Sequence, residues 1–214
     1  MLKNYFFDFD KTLADSTDAA VDATQEAYRD NNLQAPTSDT ILDQMGIPAQ
    51  ISFSKMAQKD LSESEVQQLV HTYRQVYKKY EKDKTKLYPE MRDTLTTLER
   101  REKKLFVVSS KDTESLARNL ENLAIKQYFL DIVGCDQVKR FKPAPDSLLL
   151  LIDRYHLQKD ECVMIGDARY DLQMGKAAGV KTCGAAWGAF DPDSLKRERP
   201  TYLLNHVKDL LTIK

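Results

Sequence analysis

Asp8 and Asp10 stand two residues apart in Tyr5-Phe6-Phe7-Asp8-Phe9-Asp10-Lys11-Thr12, at the start of a 214-residue chain. Four aromatic residues surround Asp8, and so much β-favouring bulk predicts a short strand buried on both faces. Two acids of the same parity at the end of such a strand reach one small volume. They repel each other unless a cation or a shared proton lies between them. A strand that merely ends in a polar turn, with Asp10 or Thr12 capping the next segment, would look similar up to this point.

Further groups of the same kind recur downstream. Leu105-Phe106-Val107-Val108 reads as a buried strand and delivers Ser109, Ser110 and Lys111. Phe141-Lys142-Pro143-Ala144-Pro145 comes after a third, weaker strand at Asp131 to Gly134. Cys162-Val163-Met164-Ile165 is a fourth and ends at Gly166-Asp167, with Asp171 four residues on. Each group alone has a plain structural reading as a cap, turn or solvated loop residue. Together they put carboxylates, hydroxyls and lysines at successive strand ends, the edge where open α/β sheets bind ligands. Clustered carboxylates make a hard-oxygen site that suits Mg²⁺ with substrate phosphate oxygens. A hydroxyl and free N–H groups at a helix start suit a phosphate oxygen. A lysine supplies compact positive charge to a phosphoryl group.

The elements that must hold these groups are legible in outline. Residues 15–86 carry only helical patterns: Ser16 to Asn31, Ser38 to Met45, Ser52 to Lys59, and a helix opened by the capping box Ser62-Glu63-Ser64-Glu65. That last helix repeats Val66, Leu69, Tyr73, Val76 and Tyr80 at helical spacing. From Leu87 helix and strand alternate. Pro89 and Pro145 are placed to start helices, Gly179 to end one, Lys181 to Ala186 to form a fifth strand, and the tail from Pro200 an edge segment and a closing helix. The pattern predicts an α/β fold, a doubly wound parallel sheet built from residues 1–14 and 87–214. An all-helical cap, residues 15–86, is inserted after the first strand.

Composition narrows the class. A formal net charge of −1 gives no field for nucleic acid, and no apolar run approaches a membrane span. The N-terminus lacks a signal-peptide pattern. Cys135, Cys162 and Cys183 lie far apart without a CxxC, as in a cytoplasmic protein with reduced thiols.

The sequence resembles the haloacid dehalogenase-like (HAD) hydrolase superfamily, with a Rossmann-like core. Asp8-Phe9-Asp10-Lys11-Thr12 is similar to its Asp-x-Asp-Gly-Thr motif, with Lys11 in place of glycine. Ser109 stands for its second motif, Lys142 for its third, and Gly166-Asp167-Ala168-Arg169-Tyr170-Asp171 for its fourth. Tyr88-Pro89, Lys142-Pro143-Ala144-Pro145 and Ala178-Gly179-Val180 resemble the phosphoglycolate phosphatase-like branch, which carries a small helical cap. Ser110 stands where relatives often have Asn.

The resemblance implies hydrolysis of a small phosphorylated metabolite through an aspartyl-phosphate. Asp8 would be the nucleophile, and Asp10 the acid and then the base, held protonated by the neighbouring acids. Ser109 and Lys142 would hold phosphoryl oxygens, Thr12 would steady the loop, and Ser110 and Lys111 would touch substrate. Mg²⁺ would be held by Asp8, the Asp10 backbone carbonyl and Asp167, with Asp171 in support. A phosphomutase of the β-phosphoglucomutase type and a pyrophosphatase share the scaffold. A dehalogenase would not need the metal-site acids, and a non-catalytic binding protein would not need Asp8 and Asp10. A monomer or homodimer is expected. Lys11 is expected to point to solvent, His71 to lie on the cap surface, and Trp187 only to pack.

Overall fold

The computed structural model describes residues 1–214. Its centre is β1 (Asn4–Phe7), whose four residues are all buried. Parallel neighbours flank it on both sides, β4 (Lys104–Val108) and β6 (Cys162–Gly166). With β5 (Asp131–Val133), β7 (Lys181–Ala185) and β8 (Tyr202–Leu204) they form a six-stranded parallel sheet in the order β5-β4-β1-β6-β7-β8. The aromatic run explains the central place of β1. Alternate side chains leave opposite faces, so Tyr5 and Phe7 enter one core while Phe6 enters the other. Phe6 stacks on Phe106 with ring centroids 4.9 Å apart.

Helices cover both faces. The first core holds Met91, Leu95 and Leu98 of α5 (Met91–Arg100) and Leu116 and Leu120 of α6 (Thr113–Asn122). The second holds Leu148 and Leu151 of α7 (Asp146–Arg154) and Met174 of α8 (Arg169–Ala178). Gly179 ends α8 with φ of 78°, the left-handed conformation expected of it. A short α9 (Pro192–Arg197), capped by Asp191, comes after β7.

The inserted helices are α1 (Thr17–Asp30), α2 (Ser38–Asp43), α3 (Ala49–Met56) and α4 (Glu63–Lys84). They have a small core of their own around Tyr28, Phe53 and Leu69. The capping box at α4 is made in both directions: the Ser62 N–H donates to Glu65 Oε2 at 2.8 Å, and the Glu65 N–H to Ser62 Oγ at 3.3 Å. The chain leaves and re-enters the main fold through a ribbon of β2 (Ala14–Asp15) and β3 (Lys86–Leu87), paired antiparallel. No helix is long and apolar enough to cross a membrane. The three cysteines are free and buried.

Three sequence expectations shift. Pro89 does not open α5. The Tyr88 N–H donates to Leu13 O, which keeps the chain in the ribbon, and Glu90 turns it at φ 64° before Met91. The third cap helix starts at Ala49 rather than Ser52, because Pro48 ends the Gly46 turn and its carbonyl accepts from Ile51 and Ser52. The closing helix is only a single 3₁₀ turn, Val207–Leu211, anchored by buried Val207 and Leu210.

Phe6 is fully buried at the sheet centre. Phe6→Ala should cost about 3–5 kcal/mol of stability in urea unfolding. A loss under about 1 kcal/mol contradicts this account of the core.

Candidate active site

Asp8 directly follows β1, and its N–H donates to Ile165 O of β6. The backbone pairing carries the carboxyl into the interior, where only 5% of the side chain is exposed. Lys142 comes from the loop before α7. Its Nζ lies 2.8 Å from Asp8 Oδ1 and 2.7 Å from Asp171 Oδ1. Asp171 sits in the first turn of α8 and also accepts from the Ala168 N–H at 3.1 Å. Gly166 permits this: a Cβ there would lie 2.2 Å from Asp171 Cγ. Asp167 completes the group, and carboxylate oxygens of Asp8, Asp167 and Asp171 lie within 4.8 Å of one another.

Three buried acids share one lysine, and the balance of charge falls short. Burial pushes the Asp8 carboxyl up to about 7, with Asp171 and Asp10 adding to the push and Lys142 opposing it. Burial likewise holds Asp167 well above the carboxylate range, with Asp171 and Asp8 adding. Burial alone would pull Lys142 down, yet Asp171 and Asp8 hold it above the usual lysine range. Such a cluster fits a divalent cation with hard oxygen ligands, which would relieve the repulsion that raises Asp8 and Asp167.

Asp10 is placed differently. The sequence expects neighbouring acids to protonate it, but the structure surrounds it with donors. Lys111 Nζ reaches its two oxygens at 2.6 and 2.8 Å, and the Ser16 hydroxyl donates to Oδ1. Ser16 stands at the N-cap position of α1 but makes no cap hydrogen bond, so its hydroxyl is free for Asp10. The cap function passes to Asp15, whose Oδ1 accepts from the Thr17 N–H at 3.0 Å. Sequence reading treats Ser16 only as a cap, and its distance of six residues from Asp10 is the signal that was there.

The other expected residues divide. Thr12 Oγ1 donates to Asp167 Oδ1 at 3.0 Å. Trp187, expected only to pack, donates from Nε1 to Thr12 O at 3.0 Å and so holds the loop. Ser109 Oγ accepts from the Lys111 N–H at 3.2 Å, at the end of β4. Ser110 Oγ donates to Gly46 O of the cap at 2.6 Å, so its hydroxyl joins cap to core rather than lying open to a ligand. Lys111 is enclosed, with Nζ 4.6 Å from the Tyr77 ring and 5.5 Å from the Phe9 ring. Burial opposes its charge, but Asp10 and the adjacent tyrosines hold the ammonium above the usual range. His71 is exposed on α4, as expected. Lys11 is not in solvent: it is 7% exposed, at φ 59°, with Nζ 5.3 Å from the Phe190 ring. The backbone turn that returns the Lys11 N–H to Ala14 O at 2.7 Å directs its side chain inward.

Two cavities adjoin the cluster. One of about 780 Å³ lies between cap and core and is bordered by Asp10, Ser110 and Lys111. The other, of about 620 Å³, is bordered by Asp167 and Lys11. The arrangement therefore sets a buried carboxylate and an acid cluster beside a second carboxylate that faces a covered chamber.

A family model described as haloacid dehalogenase-like hydrolase matches residues 5–185. Pyrophosphatase PpaX of Oceanobacillus iheyensis is 26% identical over 212 residues, covering 99% of this chain and 96% of that protein. A structure from Bacteroides fragilis, assigned as a haloacid dehalogenase-like hydrolase, superposes with TM-score 0.91 at 27% identity, over 98% of this chain and all of its own. A predicted phosphoglycolate phosphatase from Haemophilus somnus shares the fold at TM-score 0.90 and 23% identity, over 99% of this chain and 97% of that one.

The raised Asp8 carboxyl gives a signed prediction for the metal-free protein. An unfolded Asp titrates near its ordinary 3.8 and folded Asp8 at about 7. Between these values the folded state holds a proton that the unfolded state has lost, so this group's contribution to stability falls as pH rises. Melting temperatures without divalent metal should show wild type losing ground to Asp8→Asn from about pH 4.5 to about pH 7.5. A difference that does not change with pH contradicts the assignment.

Proposed function

The chain belongs to the haloacid dehalogenase-like hydrolases, and we propose that it is a Mg²⁺-dependent phosphatase of small phosphorylated metabolites, working through a phosphorylated Asp8. The observation that supports this most is the placement of Asp8: a buried carboxylate at the end of the central strand, within reach of Lys142 and two further acids. Asp8, Asp167 and the Asp10 backbone carbonyl would hold the metal, with Asp171 beside them. The ion would neutralise the acids and the charge of a transferring phosphoryl group.

The residues of the chain do the rest. The ionised Asp8 carboxylate attacks phosphorus and displaces the leaving oxygen. Lys142 keeps Asp8 oriented and offers its ammonium to the phosphoryl oxygens as charge moves onto them. Ser109 borders the same strand end, where its hydroxyl and the N–H groups opening the next helix offer further donors. Asp10 lies on the chamber side of the site. In the conformation observed it accepts from Lys111 and Ser16, which is the form that takes a proton from water in the second half of the reaction. To protonate a leaving oxygen in the first half, Asp10 must exchange its bond to Lys111 for one to the substrate. Lys111 is therefore a positioning residue rather than a phosphate ligand. The cap helices cover the chamber and exclude bulk water.

A second substrate reading has its own support. The relative from Oceanobacillus iheyensis carries the name pyrophosphatase, and pyrophosphate would present the same phosphoryl group to Asp8 with phosphate as leaving group.

Phosphate release from p-nitrophenyl phosphate tests the core of this reading. We expect Mg²⁺-dependent turnover that EDTA abolishes. Asp8→Asn should lower it by about a thousandfold or more with an unchanged circular dichroism spectrum. Turnover in that variant within a few-fold of wild type would remove Asp8 from the chemistry.

A further inference from the structure

The chamber under the cap says what kind of leaving group it is built for, given the phosphatase reading. Asp10 borders this chamber and not the other cavity. A leaving oxygen that takes its proton from Asp10 must therefore depart into the chamber. As the bond from Asp8 oxygen to phosphorus forms, the bond from phosphorus to the leaving oxygen breaks. The proton from Asp10 makes that oxygen a hydroxyl.

Three features of the chamber point the same way. Its volume of about 780 Å³, which includes an open mouth, far exceeds what a departing phosphate fills. Its wall is largely apolar, with Ile41, Met45, Phe53, Met56, Tyr73 and Tyr77 supplied by the cap. Its two cations are already paired: Arg74 Nε lies 3.1 Å from Asp112, and Lys111 Nζ 2.6 Å from Asp10. A second anion on the substrate would meet an apolar wall and no unpaired cation, and would lose its hydration without return.

One polar atom in the wall is unanswered. Buried side-chain oxygens without a hydrogen-bond partner occur at Gln44 and Thr85, and of these two residues only Gln44 lines the chamber. The Gln44 amide nitrogen donates to Asp43 Oδ2 at 2.9 Å. Exchanging the amide's nitrogen and oxygen would set oxygen against that carboxylate, so the free atom is the acceptor Oε1. A buried acceptor left open costs free energy until a donor fills it.

We infer that the natural leaving group is a neutral organic alcohol with an apolar body and one hydrogen-bond donor, which Gln44 Oε1 receives. The substrate is thus the phosphate monoester of such an alcohol. Pyrophosphate and carboxylate-bearing esters such as 2-phosphoglycolate bring a second anion and no donor for Gln44.

Four probes separate these classes: 4-hydroxyphenyl phosphate, phenyl phosphate, pyrophosphate and 2-phosphoglycolate, each with Mg²⁺. The two aryl esters have leaving groups of nearly equal basicity and differ in the donor. We expect kcat/KM for 4-hydroxyphenyl phosphate to exceed that for phenyl phosphate by about fivefold, the worth of one neutral hydrogen bond. Both should exceed the two doubly anionic probes by about tenfold or more. In Gln44→Leu the ratio between the aryl esters should fall to about one. Pyrophosphate or 2-phosphoglycolate as the fastest probe overturns the inference in the wild-type protein alone. So does an aryl ratio near one in wild type, or one that survives in Gln44→Leu. Release from none of the four overturns the phosphatase reading itself, and this inference with it.

Discussion

Asp8 is buried at the end of a strand with no exposed residue, and a lone carboxylate there would be costly. Much of the architecture answers that cost. β4 and β6 flank β1, so their ends bring Ser109 and Asp167 to the same edge. The loop before α7 sends in Lys142, and the first turn of α8 sends in Asp171. A buried ion pair rarely stabilises a fold by much. This group is better understood as an arrangement kept for chemistry, and the raised Asp8 and Asp167 mark it as short of positive charge.

The two acids of the first motif part company in the structure. Asp8 belongs to the interior of the core. Asp10 belongs to the boundary with the cap, held by Lys111 from the core and by Ser16 from the start of α1. That boundary is polar along its length. Tyr77 donates to Asn119, and Glu81 receives both Arg118 and Asn119 across the contact between α4 and α6. Polar contacts between separate cores are the kind that permit relative motion. The two-stranded ribbon of β2 and β3 is the covalent link about which the cap would move.

Sequence carried the core further than the cap. Aromatic and branched runs mark β1, β4 and β6 because a central parallel strand is buried on both faces. The residues after each run then fall at the site edge without further information, and the motif spacing marks Asp8, Ser109, Lys142, Asp167 and Asp171. The features that stayed hidden depend on tertiary contact. Lys11 reads as a surface lysine because nothing local reveals Phe190 beneath it. Ser16 reads as a helix cap because its turn toward Asp10 depends on a chain reversal between them. Gln44 reads as the polar end of a short helix, and its open oxygen shows only when the cap is folded over the core. Ser110 and Lys111 read as ligand groups by position, yet one fastens the cap and the other holds Asp10.

The central claim is that Asp8 becomes covalently phosphorylated. Borohydride added during turnover would reduce an acyl phosphate to an alcohol, converting Asp8 to homoserine. Peptide mass spectrometry after such a quench should find homoserine at Asp8 only when phosphate ester and Mg²⁺ are both present. Continued product formation with unmodified Asp8, or reduction at another carboxylate instead, would contradict the account.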